Sequence, residues 1–209
     1  MIRIKSNQKE VDNVIFDLGA VMFDTKPREW LFNLGVAPEK IDRVLAVTFY
    51  NPVWIEGDRG TMSSEDLINY AARIEPTLKK EITAFVNKRS YVEQAIPENV
   101  EVFYQCKDAG CGVYILSNFS KEPIDILKKR NSFFADADGA VISCDYGYVK
   151  PEPEIYKILL DKYHLDPARS VFIDDSEKNI VGAEKAGING ILLPACTSIA
   201  PYLDIPEEE

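Results

Sequence analysis

A chain of 209 residues has the size of one large domain, or of a core with a modest insert. With 46% hydrophobic and 28% charged residues it can bury a full core and is not a disordered chain. Its net charge of -10 and pI near 4.8 argue against general binding to nucleic acid or to an anionic membrane surface.

In chain order, the first ten residues are polar and contain no apolar h-region, so no signal peptide is expected. No segment has the uninterrupted apolar length of a membrane span, and the expected location is the cytoplasm. Residues 13–16 form an apolar run that reads as a buried strand, and Gly19 lets the chain turn sharply just beyond it. From Asp24 to about Ile96 the pattern changes to helices alone, over residues 38–48, 63–73 and 78–94, with apolar residues at three- and four-residue steps. Ser63 or Ser64 with Asp66 gives an N-cap signal, and Glu75-Pro76 a break. This is a small helical bundle inserted after the first strand.

Strands and helices then alternate. Helices are expected over residues 97–109, 121–129, 152–163 and 177–186, and strands over 112–116, 140–143, 171–173 and 190–193. Alternation of this kind predicts an α/β fold: a Rossmann-like parallel sheet with helices on both faces and a ligand site at the carboxyl ends of the strands. The tail after Pro201 is expected to fray.

Four polar clusters fall where those strands end: Asp17, Ser117 with Asn118, Lys150, and the pair Asp174 and Asp175. A carboxylate at the mouth of a buried strand is costly unless something uses it. Three together repel unless a cation joins them. Three carboxylates, a hydroxyl with an amide, and one ammonium suit a magnesium ion and a phosphate. Lys150 and the metal would supply the local positive charge that an acidic surface otherwise denies a phosphorylated substrate. Cys106, Cys111, Cys144 and Cys196 lack CxxC or metal-ligand spacing and are expected to be reduced. His164, just before Leu165-Asp166-Pro167, reads as a helix-end or surface group.

Taken in order, the stretches VIFDLGAVMFD, YILSN, GYVKPEPEIY and FIDDSEKNIVGAEKAG resemble the four motifs of the haloacid dehalogenase superfamily, most of whose members are phosphatases. The resemblance spans nearly the whole chain. It implies an α/β core of residues 1–23 and 97–209, with the helical insert, 24–96, as a cap. The segment from Trp54 to Gly60 and on to Ser63 also resembles part of such caps. The DLG-x-V variant is similar to a sugar-phosphatase branch that includes glucose-1-phosphate phosphatases.

The resemblance also implies roles. Asp17 is the expected nucleophile, forming an aspartyl-phosphate. Asp17, the Gly19 carbonyl, Asp174 and Asp175 are the expected magnesium ligands, Asp175 directly and Asp174 directly or through water, with Ser176 and Asn179 around them. Ser117, Asn118 and Lys150 are expected to bind the phosphoryl oxygens, and Lys150 to pair with Asp17 as well. In this superfamily a second Asp, two residues after the nucleophile, usually moves the proton; here that residue is Gly19. Either Asp24 takes the role, or an acidic leaving group such as an anomeric hydroxyl relaxes the need. Arg28, Trp30, Trp54, Glu56 and Arg59 are candidates for substrate choice. The expected partner is a small phosphorylated molecule, handled by a monomer or homodimer, with no nucleic acid and no membrane. The alternatives are a haloacid dehalogenase, which also lacks the second Asp, and a catalytically silent phospho-ligand module.

Overall fold

The computed structural model describes residues 2–206. Strands β1 (Ile2–Ile4) and β2 (Glu10–Val11) precede β3 (Asn13–Phe16). Helices α1 (Pro27–Asn33), α2 (Pro38–Val47), α3 (Trp54–Arg59), α4 (Ser64–Ile74) and α5 (Lys79–Val92) follow without an intervening strand. Then come α6 (Pro97–Asp108), β4 (Gly112–Ser117), α7 (Lys121–Arg130), α8 (Phe133–Asp136) and β5 (Gly139–Ile142). The chain closes with α9 (Pro153–Tyr163), β6 (Ser170–Asp174), α10 (Glu177–Lys185), β7 (Asn189–Leu192) and β8 (Leu203–Asp204).

The main sheet is parallel throughout, in the order β5-β4-β3-β6-β7. Alternation along β3 sends Val14 and Phe16 to one face, where α6, α7 and α8 cover them through Phe103, Ile124 and Phe133. Ile15 points to the other face, packed with Ile155, Leu159 and Ile180 of α9 and α10. Both faces are therefore dry, which is why these strands read as continuous apolar runs. The chain runs outward from β3 to β4 and β5, then returns to the far side of β3 as β6. That reversal makes the carboxyl ends of β3 and β6 the switch point of the sheet.

The insert has a core of its own, built from residues that include Leu31, Val44, Leu45, Ile82 and Phe85. Helix α4 begins with a capping box in which Ser63 and Asp66 satisfy each other's backbone amides. Its two linkers run side by side: Asp24 N donates to Gln94 O (2.9 Å), Gln94 N to Asp24 Oδ1 (2.9 Å), and Ile96 N to Met22 O (2.8 Å).

Two terminal expectations are corrected. The polar-looking start of the chain contributes β1, which pairs antiparallel with both β2 and β8. Ile2 and Ile4 are fully buried in the core while Arg3, between them, faces out to Glu10. The tail after Pro201 does not fray at once, because Leu203 is buried and β8 is paired; residues 207–209 of that expectation lie outside the described residues.

Candidate active site

Register brings the site together. Phe16 pairs with Ile115 on one side and Ile173 on the other, so the next residues of the three strands emerge level with one another. Asp17 N still donates to Ile173 O at 3.0 Å, which fixes the backbone of the aspartate as it leaves the sheet. Carboxylate oxygens of Asp17, Asp174 and Asp175 lie within 4.8 Å of one another.

Lys150 reaches into this cluster from the loop before α9. Its ammonium lies 2.7 Å from Asp17 Oδ1, 2.7 Å from Asp174 Oδ2 and 3.0 Å from Leu116 O, using all three protons. Asn118 holds the same loop by its backbone: Lys150 N donates to Asn118 Oδ1 (2.8 Å) and Asn118 Nδ2 to Lys150 O (3.0 Å). The Asn118 amide, expected on a phosphate oxygen, is thus engaged with Lys150 in this structure. Ser117 is buried and hydrogen-bonds the Asp17 carboxylate.

The two acidic residues after β6 differ. Asp174 is fully buried and well held, accepting from Ser176 N (2.8 Å), from Asn179 Nδ2 (3.0 Å) and from Lys150. Asp175 is exposed and its carboxylate takes a hydrogen bond from its own backbone amide. Ser176 and Asn179 therefore orient Asp174, while Asp175 is the more available ligand.

Burial dominates the electrostatics. It pushes the Asp17 carboxyl up to about 7, with Asp174 adding repulsion, and Lys150 and Ser117 offset this only in part. For Lys150, burial opposes the charge, but the two carboxylates win and hold the ammonium above its ordinary value. One ammonium among three carboxylates leaves the cluster net negative. Hard oxygen donors packed this way fit a divalent cation of the magnesium type.

Between the core and the insert, bordered by Gly19 and Asn118, lies a cavity of about 170 Å³. Its core side is Gly19, Thr25, Asn118 and Phe119; its insert side is Trp30, Phe49, Trp54, Asp58, Arg89 and Glu93. Arg89 is buried, with its guanidinium 4.5 Å over the Trp54 ring and donating to Ser120 Oγ at 3.1 Å. Trp30 and Glu93 are each only 3% exposed, yet Trp30 Nε1 and Glu93 Oε2 have no hydrogen-bond partner among the described residues. A larger open depression, about 780 Å³, runs along α10 past Pro151 and Lys185; neither it nor the smaller cavity is lined by Asp17, Lys150 or Asp174, but the smaller one includes Gly19 and Asn118.

The model of the haloacid dehalogenase-like hydrolase family matches residues 11–187. The chain belongs to the haloacid dehalogenase-like hydrolases. Among relatives of this hydrolase family, it is 22% identical to the sesquiterpene phosphatase astK of Aspergillus oryzae, over 86% of this chain and 88% of that protein. It is also 22% identical to a D-ribitol-5-phosphate phosphatase of Bacteroides thetaiotaomicron, over 83% of this chain and 88% of that one. Its fold matches the crystal structure of a HAD-family enzyme of Bacteroides thetaiotaomicron in complex with magnesium and inorganic phosphate, with a TM-score of 0.74. That match covers 91% of this chain and 98% of the other at 19% identity. Among the described residues, no helix of this hydrolase is long and apolar enough to cross a membrane.

The cluster gathers Asp17, Ser117, Lys150, Asp174 and Asp175, and Gly19, two residues beyond Asp17, lines the cavity. Of the proposed selectors, Trp30 and Trp54 line the cavity. Arg59 instead forms a two-pronged bond to Glu152 (2.7 and 2.8 Å), Arg28 pairs with Asp42, and Glu56 accepts from Thr61 Oγ1 at 2.6 Å. Asp24 is bound to Gln94 N at the linker, away from the cavity lining. His164 ends α9 in a left-handed turn, as its sequence context predicts. Sequence reasoning missed Asp58, Arg89 and Glu93. Arg89 falls on the apolar stripe of Ile82, Phe85 and Val86, and a charge on such a stripe was the available signal.

Proposed function

We propose that this hydrolase cleaves phosphate monoesters through an aspartyl-phosphate on Asp17, and that its substrates are small sugar or polyol phosphates. The observation that carries the chemistry is Lys150, sealed from water and 2.7 Å from both Asp17 and Asp174. Asp17, Asp175, the Gly19 carbonyl and Asp174, directly or through water, are the residues that would hold magnesium. Bound there, the ion would keep Asp17 ionised and screen the phosphoryl charge.

The chain's own residues divide the remaining work. Asp17, fixed by the β3 to β6 register, attacks phosphorus. Lys150 neutralises charge at the phosphoryl oxygens while holding Asp17 in line. Ser117 donates a hydrogen bond, and Asn118 keeps Lys150 aimed by gripping its backbone. Residues 24–96 act as a cap over the core of residues 1–23 and 97–209, and the paired linkers at Asp24 and Gln94 are its hinge. A dehalogenase has no use for the Asp174-Asp175 pair, and a silent binding module none for a buried Asp17 locked to lysine.

Support for the substrate class comes from the cavity. At about 170 Å³ it is well below the roughly 300–1,000 Å³ of sites for larger ligands. An unpartnered donor on Trp30 and an unpartnered acceptor on Glu93 suit a molecule whose hydroxyls both accept and donate. Aromatic faces from Trp54, Phe49 and Phe119 suit the C–H side of a short carbon chain or ring. The test is phosphate release from a panel of sugar, polyol, nucleotide and terpenyl monophosphates, with and without magnesium, for the wild type and Asp17→Asn. Magnesium-dependent release from the small polar esters, abolished by the substitution, is the expected result. No release from any ester by a folded protein overturns the phosphatase reading.

A further inference from the structure

We propose that Asp58, on the cap helix α3, is the group that moves the proton in this site. The inference rests on the phosphatase reading above. The need follows from chemistry. When Asp17 attacks phosphorus and the P–O bond to the substrate breaks, the departing alkoxide is a strong base and must be protonated. When water then attacks the phosphoryl group on Asp17, something must accept the water's proton. Gly19 has no side chain to do either.

Asp58 is placed for both steps. It lines the cavity together with Gly19 and Asn118, one turn along α3 from Trp54, which lines it too. Although it belongs to the insert, it is pinned to the core at both ends. Ser143 Oγ donates to its backbone carbonyl, and the Ser120 backbone amide hydrogen-bonds its carboxyl. At the end of the same helix Gly60, at φ +83°, lets the chain pass so close to Cys144 that an added Cβ would lie 2.6 Å from the Cys144 carbonyl oxygen. The charged groups acting on Asp58 are Arg89 from α5 and Lys150 from the core, and Lys150 is the residue bonded to Asp17. The Cys144 thiol also lies within electrostatic reach. Burial raises the Asp58 carboxyl to about 7 against both cations, where it gives and takes protons at neutral pH.

Other carboxyls near the cavity are bonded elsewhere or lack the link to Lys150. Asp24 is held by Gln94 and pairs with Lys26. Glu93 lines the cavity and shares Arg89 with Asp58, but its other charged neighbours are Asp24 and Arg130, whereas that of Asp58 is Lys150. Glu56 is bonded to Thr61. In the first step, then, protonated Asp58 gives its proton to the leaving oxygen as the Asp17–phosphorus bond forms. In the second, ionised Asp58 takes a proton from water as the Asp17–phosphorus bond breaks. The sum is ester plus water to alcohol plus inorganic phosphate, with Asp58 restored.

The test is a leaving-group series, from p-nitrophenyl phosphate to simple alkyl phosphates, with magnesium. Asp58→Asn is the variant of choice, because the amide copies the shape and neutrality of the protonated acid. The wild type should show a shallow dependence on leaving-group acidity. Asp58→Asn should lose at least about 100-fold on alkyl phosphates. It should keep a p-nitrophenol burst within about threefold of wild type, and then stall with Asp17 phosphorylated, seen as a phosphoryl adduct by intact mass. Glu93→Gln should change these hydroxyl-free esters little and in parallel, with no adduct. An equal loss in the first step, read as burst rate or kcat/KM, across all esters in Asp58→Asn, no loss at all, or a steep dependence in the wild type overturns the proposal while leaving the phosphatase reading intact. A wild type silent even toward p-nitrophenyl phosphate overturns both.

Discussion

Lys150 Nζ and Asp17 Oδ1 stand 2.7 Å apart, with the lysine side chain 1% exposed and the aspartate side chain 10%. The contact belongs to a chain that continues to Asp174, also 2.7 Å from the ammonium and itself held by Ser176 N and Asn179. Removing charges from water is costly, and such a cluster persists only where geometry and hydrogen bonding offset that cost. Here the offset is incomplete, as the raised Asp17 carboxyl records. The arrangement stores ligand-binding capacity at the expense of stability.

Breaking the cluster at its cation should be severe. Lys150→Met keeps much of the side-chain length and removes the charge, leaving two buried carboxylates facing each other. The expected cost is about 3–5 kcal/mol in chemical denaturation of the metal-free protein, with turnover lost even where the fold survives. A change under about 1 kcal/mol would mean that the lysine is not the cluster's main counter-charge.

Stability should also depend on pH in a definite direction. Asp17, Asp58 and Glu93 are all held at about 7, above ordinary values of 3.8, 3.8 and 4.5. A carboxyl raised on folding binds its proton more tightly in the folded state, so its contribution is present below the unfolded pKa and is lost as pH rises through the folded one. The metal-free protein should therefore melt higher near about pH 5 than near about pH 7.5. Surface carboxylates held down by ion pairs, such as Glu75 with Arg43 and Glu152 with Arg59, act below this window. Magnesium needs ionised ligands, so it should raise the melting temperature more at the higher pH. Thermal scans at both pH values, with EDTA and with magnesium, check the sign of each effect.

Much of this was legible in the sequence because a doubly covered parallel sheet writes its strands as apolar runs and leaves its candidate site residues at their ends or in the loops beyond them. Asp17, Ser117, Lys150 and Asp174 could be read that way. Strands β1 and β8 could not, since three and two residues are too few to establish alternation, and only the tertiary pairing buries Ile2, Ile4 and Leu203. Asp58, Arg89 and Glu93 were hidden for a different reason. A charged residue on a helix ordinarily faces water, and only the burial of Arg89 between Trp54 and Phe119 reveals that this face closes a cavity. Arg59 shows the converse error, since a charge next to a suspected site proved to be a strut.

That strut has a consequence. Arg59 joins helix α3 of the insert to Glu152 and to Gly147 O, and Glu152 Oε2 also accepts from Val149 N, next to Lys150. The pair is partly exposed, so Arg59→Ala should change stability by less than about 1 kcal/mol. Its effect should appear in catalysis instead, as the loop carrying Lys150 loosens. Arg59→Ala and Glu152→Ala should each lower kcat/KM about 5- to 30-fold, and the double variant should be little worse than either. Additive losses would show that the two residues act separately.

Trp30 offers the sharpest test of the cavity. Its indole N–H is buried without a partner among the described residues, so Trp30→Phe removes an unsatisfied donor and costs packing volume alone; the melting temperature should shift by no more than a few degrees. If that N–H serves a substrate hydroxyl, the loss falls on binding. KM for the best polyol or sugar phosphate should rise about 5- to 30-fold, near 1–2 kcal/mol, with kcat little changed. The same variant should leave KM for p-nitrophenyl phosphate, which has no hydroxyl to offer, within about twofold of wild type. Equal changes for both substrates would mean that Trp30 shapes the cavity by its bulk, and that the hydroxyl-binding role lies with Glu93 or Arg89.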